Sequence, residues 1–145
     1  MITVVETSPE HIRALGHNLR ERDMAMAKKV GIPAHRALWR VYKKSVMCRT
    51  IFVNNEIAAI WGVAGSFLGS VGKPWMVASP LVEDYPTKLM FRYRSELRSM
   101  LRFFPILEDW VSKDDEKTMK LLKIIGFTFD DSHNNPLFIK ATLER

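Results

Sequence analysis

The sequence has a single cysteine, Cys48, and this scarcity excludes several kinds of site. One thiol cannot form an internal disulfide, a cysteine-based zinc site or an iron–sulfur cluster, so we expect a reducing compartment. No uninterrupted apolar run approaches the roughly 18 residues of a membrane-spanning helix. The N-terminal stretch has no basic segment followed by an apolar one, so we expect no signal peptide. The glycines and prolines stand singly, which excludes low-complexity tracts.

What is present is a folded chain with an uneven charge. Its 145 residues and 47% hydrophobic content predict a single domain over residues 1–145. The formal net charge is +6, and residues 33–49 carry net +5 while residues 85–104 carry net +4. Such charge suits a nucleic acid, an acidic ligand such as a phosphate, an acidic protein, or solubility alone.

Apolar periodicity predicts a mixed α/β chain. Strands are expected at residues 2–5, 47–53, 57–64, 74–79, 106–111, 127–129 and 137–142. Helices are expected at residues 9–15, 33–45, 85–104 and 113–125, and a broken helical stretch at residues 18–30 that ends at Gly31. Loops are expected at residues 66–73 and 80–84. Ser8 and Ser112 are expected to cap the first and last helices, and Asn54 and Asn55 to form a tight turn.

The order of these elements, β-α-α-β-β-β-α-β-α-β-β, resembles that of the GNAT superfamily of N-acetyltransferases. The resemblance implies an α/β fold with a mixed sheet, the GNAT-like acyl-CoA N-acyltransferase fold. It also implies that acetyl-CoA binds at the N-terminus of the long helix after the fourth strand, with its pantetheine between strands four and five. By family position, the cofactor contacts are Ser79, Thr87, Lys88 and Arg92. No metal is expected.

The stretch of residues 79–88 departs from the family's glycine-rich loop. It contains no glycine, so backbone N–H groups cannot approach a diphosphate as closely. Glu83 and Asp84 add two negative charges there, and Pro86 lacks an N–H donor. Each difference weakens anion binding. Thr87, Lys88 and Arg92 are the favourable residues that remain.

The family's catalytic residues are not matched either. Leu122 occupies the position of the tyrosine that acts as general acid in the family, and residues 74–79 contain no carboxylate. Glu108, Asp109 and His35 are the alternative candidates for a general base. The sequence does not choose among them.

A second resemblance covers residues 58–141. The runs PWMVAS, RYRSELRSML, FPILEDWVSKDDEKTMKLLKIIGFTF and LFIKA are similar to the internal virion protein A family of short-tailed podoviruses, which is itself GNAT-like. The resemblance implies a phage assembly or structural protein with a degenerate acetyl-CoA loop. Its partners would be other virion or head proteins, and its location the host cytoplasm during assembly or the virion interior.

On this interpretation, Arg94, Arg98 and Arg102 form a partner-binding stripe, because their four-residue spacing places them on one helix face. The loop without glycine favours this assembly role. The alternative is an acetyl-CoA-dependent N-acetyltransferase that acts on a protein or small-molecule amine. A nucleic-acid-binding module is a third hypothesis, although no known nucleic-acid motif supports it.

Overall fold

The structure is a computed structural model that describes residues 1–65 and 68–145. The strands are β1 (Ile2–Glu6), β2 (Ser45–Val53), β3 (Glu56–Ala64), β4 (Val71–Ala78), β5 (Ile106–Ser112), β6 (Thr128–Asp130) and β7 (Phe138–Glu144). The helices are α1 (Pro9–Gly16), α2 (Glu21–Val30), α3 (Ala34–Lys44), α4 (Pro86–Met100) and α5 (Glu116–Ile125), and a 3₁₀ helix spans Pro80–Asp84. Within the described ranges, no helix is both long enough and apolar enough to cross a membrane.

The strands form a seven-stranded mixed sheet in the order β1-β2-β3-β4-β5-β7-β6. β1 pairs antiparallel with β2, and β2 with β3. β4 and β5 run parallel and pair through Val71 with Ile106 and Gly72 with Leu107. β7 pairs antiparallel with both β5 and β6. The predicted α/β class with a mixed sheet is therefore confirmed.

The chain divides into two compact units, and β4 and α4 contribute residues to both. Unit 1 comprises Met1–Ala64 and Trp75–Leu89. Its core is an apolar cluster contributed by α1, the segment after it, α3 and β3. The buried members of that cluster are Ile12, Leu15, Leu19, Leu38 and Ile60. Burial of these apolar side chains stabilises the packing of the helices against the strands.

Unit 2 comprises Gly65–Pro74 and Met90–Arg145. Its buried apolar side chains come from α4, β5, α5 and β7, and include Leu97, Met100, Leu107, Leu122 and Ala141. Leu107 and Val111 alternate along β5 and are both buried, so one face of this strand belongs to the core.

Three local predictions are confirmed. Ser8 caps α1, because its hydroxyl accepts a hydrogen bond from His11 N, while His11 Nδ1 accepts one from Ser8 N. Gly31 ends α2 in the left-handed conformation, with φ 78°. Asn54 and Asn55 join β2 to β3 with φ 49° and 65°, as a tight hairpin turn of the type I′ class requires.

Two helix predictions need correction. The stretch at residues 18–30 contains a regular helix, α2, so three helices precede β2 where the predicted order has two. Ser112 does not cap the last helix, because it remains in the ladder between β5 and β7, opposite Phe138. The cap is Asp115, whose carboxylate accepts a hydrogen bond from Thr118 N at 3.2 Å.

The predicted loops and the end of the long helix also differ. β4 begins at Val71, inside the predicted loop at residues 66–73, while Ser66 and Phe67 lie outside the described residues. The loop predicted at residues 80–84 is a 3₁₀ helix capped by Ser79. The long helix ends at Met100, four residues before its predicted end, and residues 101–103 form a turn. Pro105, which has no N–H group, follows that turn.

Candidate functional site

The backbone at the end of β4 forms hydrogen bonds on both of its edges. Ser79 N donates to Ala58 O at 2.9 Å, so Ser79 faces β3. Because successive residues of a strand point their backbone groups to opposite edges, the N–H and C=O of Ala78 point away from β3. Asp23 Oδ2 accepts from Ala78 N at 2.8 Å, and Arg20 N donates to Ala78 O at 2.8 Å. The outer edge of β4 at Ala78 is therefore closed.

Arg20 and Asp23, which close this edge, form a largely buried ion pair. Arg20 Nε lies 2.8 Å from Asp23 Oδ2, and the two side chains are 13% and 11% exposed. Burial raises the pKa of Asp23, although the Arg20 guanidinium lowers it. The pair ties the start of α2 to the end of β4 in unit 1. Sequence reasoning missed it, because the partner in β4 lies 55 residues from Asp23.

Ser79, a predicted cofactor contact, is buried and its hydroxyl is used within the fold. Its Oγ donates to Ile57 O at 2.8 Å and accepts from Leu81 N at 3.3 Å. The hydroxyl thus caps the 3₁₀ helix and joins it to β3. The role of Ser79 in cofactor binding stays a prediction.

The first turn of α4 carries the other predicted anion contacts. Leu89 N donates to Tyr85 O at 3.1 Å, which closes the first helical turn. Pro86 has no N–H group, and the N–H groups of Thr87 and Lys88 precede the first intrahelical donor. Both residues are solvent-exposed, as is Arg92 one turn later. The first two turns of α4 therefore offer two backbone donors and two cations on exposed surface.

A cleft of about 680 Å³ lies beside the 3₁₀ helix in unit 1. Its polar lining comes from Asn18, Glu56, Ser79 and Asp84. The two carboxylates make the cleft more favourable for a cationic group than for a phosphate. Glu83 and Asp84, the acidic pair noted in the sequence, are both exposed, and of the two Asp84 lines this cleft.

Two adjacent carboxylates on β5 differ sharply in their surroundings. Glu108 lies on the face of β5 opposite to Asp109, where its side chain is 22% exposed and its Oε2 is 3.4 Å from Lys140 Nζ. Asp109 shares the face of Leu107 and Val111, and burial raises its pKa to about 7, although a hydrogen bond from the backbone of Trp110 opposes that rise. Asp109 can therefore take up or release a proton near neutral pH, as a general base must.

His35 and Cys48 have less favourable positions for catalysis. His35 is exposed and stacks on His17, with ring centroids 5.9 Å apart. Burial raises the pKa of the Cys48 thiol to about 11, so the thiolate is scarce at neutral pH. Leu122 is buried in unit 2 and has no proton to donate. In the part of the chain that the structure describes, no three His, Cys, Asp or Glu side chains cluster as metal ligands.

The arginines of the predicted partner-binding stripe lie on and just after α4. Arg98 and Arg102 are exposed and Arg94 is half-buried. Phe91, on the same helix, is 59% exposed. Their role in partner binding stays a prediction.

No protein-family model and no curated protein matches the sequence. Solved structures do match. The ribosomal-protein-S18-alanine N-acetyltransferase from Escherichia coli has a TM-score of 0.70 at 13% identity, over 99% of this chain and 94% of that chain. An acetyltransferase from Streptococcus agalactiae has a TM-score of 0.75 at 9% identity, over 99% of this chain and 98% of that one.

A third solved structure contains coenzyme A. The PaiA N-acetyltransferase from Thermoplasma acidophilum, in complex with coenzyme A, has a TM-score of 0.72 at 8% identity, over 100% of this chain and 99% of that chain. At these identities the likeness shows the fold, which is that of the GNAT acetyltransferases. Nothing in the comparisons supports the resemblance to internal virion protein A.

Proposed function

We propose that the protein is an N-acetyltransferase that transfers the acetyl group of acetyl-CoA to an amine. The observation that carries the proposal is Asp109, a carboxylate with a pKa of about 7 on β5 of an acetyltransferase fold. All three solved structures described above are acetyltransferases. A virion assembly role has no comparable support.

Asp109 acts as the general base in this proposal. A free amine is largely protonated at neutral pH and cannot attack a carbonyl until it loses a proton. A carboxylate with a pKa near 7 is ionised in about half of the molecules at that pH, and it holds the proton that it accepts. Glu108 is less suited to this role because it is paired with Lys140.

A general acid at the position of Leu122 is not required for the reaction. The leaving group is a thiolate, and a free thiol has a pKa of about 8.5. Such a leaving group is stable enough in water to depart without a proton from the protein. The rate then depends mainly on the nucleophilicity of the amine and on its orientation toward the thioester.

The residues in the first turn of α4 fit an anionic cofactor, although with fewer contacts than a glycine-rich loop offers. Thr87 and Lys88 supply backbone N–H donors, and the Lys88 and Arg92 side chains supply positive charge. When bound, acetyl-CoA supplies an activated acetyl thioester. The closed edge at Ala78 and the charge of Asp84 lower the expected affinity. Cofactor binding is therefore tested by variants of Lys88 and Arg92, and the general base by a separate variant of Asp109.

The test is acetyl-CoA-dependent thiol release with a panel of amines, comprising N-terminal peptides, lysine peptides and small polyamines. We expect a turnover for at least one class of amine that Asp109→Asn lowers by about 100-fold. The rate of the native protein should rise with pH through about 7, because the base must be ionised. The matched control is Glu108→Gln, which removes the neighbouring carboxylate and should retain activity.

Two results contradict the proposal. One is the absence of thiol release with every class of amine. The other is an equal effect of Asp109→Asn and Glu108→Gln on the rate and its pH profile, since that would assign no special role to the half-buried carboxylate.

A further inference from the structure

The outward face of α4 combines arginines with an exposed aromatic ring. At 100° per residue, Phe91, Arg94, Arg98 and Arg102 fall within an arc of about 80°. Leu101 N donates to Leu97 O and Arg102 N donates to Ser99 O, so the helical turn continues beyond Met100. We name these four residues the arginine face. The buried residues of the helix lie on the opposite side, namely Leu89, Tyr93, Leu97 and Met100.

The guanidinium groups of the arginine face are uncompensated. Within residues 1–65 and 68–145, no carboxylate forms an ion pair with any of the three. The acid nearest in sequence, Glu96, is 6% exposed and belongs to the core side of α4. Phe91 is 59% exposed beside them. The face therefore presents positive charge and an apolar ring to solvent together.

The spacing of the arginines matches an extended polypeptide. A helix rises about 1.5 Å per residue, so Arg94, Arg98 and Arg102 succeed one another at about 6 Å. Alternate residues of an extended chain lie on one side and about 6.6 Å apart. Carboxylates at alternate positions can thus each meet one guanidinium, which binds a carboxylate through two parallel hydrogen bonds.

The extent of the charge favours a polypeptide over a nucleic acid. Elsewhere in unit 2, acidic and basic residues nearly balance, so the positive surface of this unit is narrow. Three arginines neutralise about three phosphates, whereas useful affinity for nucleic acid at physiological salt commonly needs several more.

We propose that the arginine face of α4 binds an extended acidic segment of another protein, with carboxylates at alternate positions and an apolar residue against Phe91.

The test is fluorescence anisotropy with a labelled ten-residue peptide of alternating glutamate and alanine that contains one leucine. We expect binding that weakens as salt rises, because exposed charges are screened. Arg94→Gln, Arg98→Gln and Arg102→Gln combined should weaken binding about tenfold or more. Phe91→Ala should weaken it several-fold. This binding requires no acetyl-CoA, so its outcome is independent of the proposed acetyl transfer.

The matched control removes the same charge from another helix. Arg36, Arg40 and Lys44 share the four-residue spacing on α3 and are exposed. Their combined change to glutamine should leave peptide affinity within about twofold. Equal weakening by the two triple variants, tighter binding of a single-stranded oligonucleotide than of the peptide, or no peptide binding at low salt would each overturn the proposal. Circular dichroism verifies that every variant is folded.

Discussion

Asp109 is a carboxylate whose surroundings oppose its charge, and this has a consequence for stability as well as for catalysis. Its pKa is about 7 in the folded protein against an ordinary value of 3.8, so the folded state holds this proton more tightly than the unfolded chain does. The stability contributed by the group is therefore present below about pH 4 and is lost as pH rises through 7.

We therefore predict that Asp109→Asn is more stable than the native protein at pH 8, by a margin larger than any difference between the two at pH 4. The gain should be about 1 kcal/mol, well below the full value of the pKa shift, because solvent screens a half-buried side chain. Urea unfolding of the native protein and the variant at both pH values measures it. A difference in stability that does not change with pH would contradict the assignment of the raised pKa to Asp109.

Cys48 leads to a second prediction at the residue scale. With a pKa of about 11, its thiol should react with maleimide or an aromatic disulfide at pH 8 about 100-fold more slowly than the same thiol in urea. Because it is the only cysteine, the label reports this one site. Equal rates in native and urea-unfolded protein would show that the thiol is not protected.

At this scale the sequence predicts some site residues and misses others for physical reasons. Alternation along β5 could not choose Asp109 over Glu108, because Ile106 and Trp110 flank Glu108 on its face just as Leu107 and Val111 flank Asp109. The two carboxylates are distinguished only by the burial that the folded sheet gives Asp109. The fate of Ser79 could not be predicted, because its hydroxyl is taken by Ile57 O, a backbone atom 22 residues away.

At the scale of elements, the junction between α2 and β4 depends on the ion pair of Arg20 and Asp23. Arg20→Met leaves the Asp23 carboxylate buried without its cation, so we predict a loss of about 3 kcal/mol in the free energy of unfolding. Chemical denaturation at pH 7 measures it. Arg13 provides the control, because its pair with Glu10 is also three residues apart but has side chains 70% and 74% exposed.

Arg13→Met should change stability by less than about 0.5 kcal/mol, since a solvated pair gains little. If the two arginine variants lose equal stability, burial does not decide the strength of these pairs, and the proposed tie between α2 and β4 is wrong.

Most elements follow from local sequence signals, whereas their ends depend on distant contacts. Ser8, Gly31 and the two asparagines act through their own backbone neighbourhood, so their roles are readable from the sequence. Ser112 looks like a cap, but it remains in the ladder because β7 pairs with it. The start of β4 at Val71 is similarly determined by its pairing with Ile106, 35 residues later.

At the scale of the molecule, the order of elements predicts the fold, but fold does not determine chemistry. Acetyl-CoA binding does not follow from the fold alone, because the loop before α4 departs from the glycine-rich pattern. The identity of the acceptor amine also cannot be predicted from the sequence, because the surfaces that recognise it carry no sequence motif.

We predict that acetyl-CoA at about ten times its dissociation constant stabilises the protein by about 1.4 kcal/mol. This corresponds to a rise of about 3–6 °C in Tm for a chain of this size. Lys88→Gln combined with Arg92→Gln should remove most of the rise, while Arg36→Gln combined with Arg40→Gln should preserve it. An identical rise in both double variants would mean that the first turn of α4 does not hold the cofactor.

The closed edge at Ala78 has a further consequence for aggregation. A strand with unsatisfied N–H and C=O groups is a template on which another chain can add a strand. Arg20 and Asp23 occupy those groups at Ala78, so α2 protects the end of β4 from intermolecular pairing. Variants that loosen α2 should therefore form β-rich aggregates on mild heating, before the remaining structure unfolds.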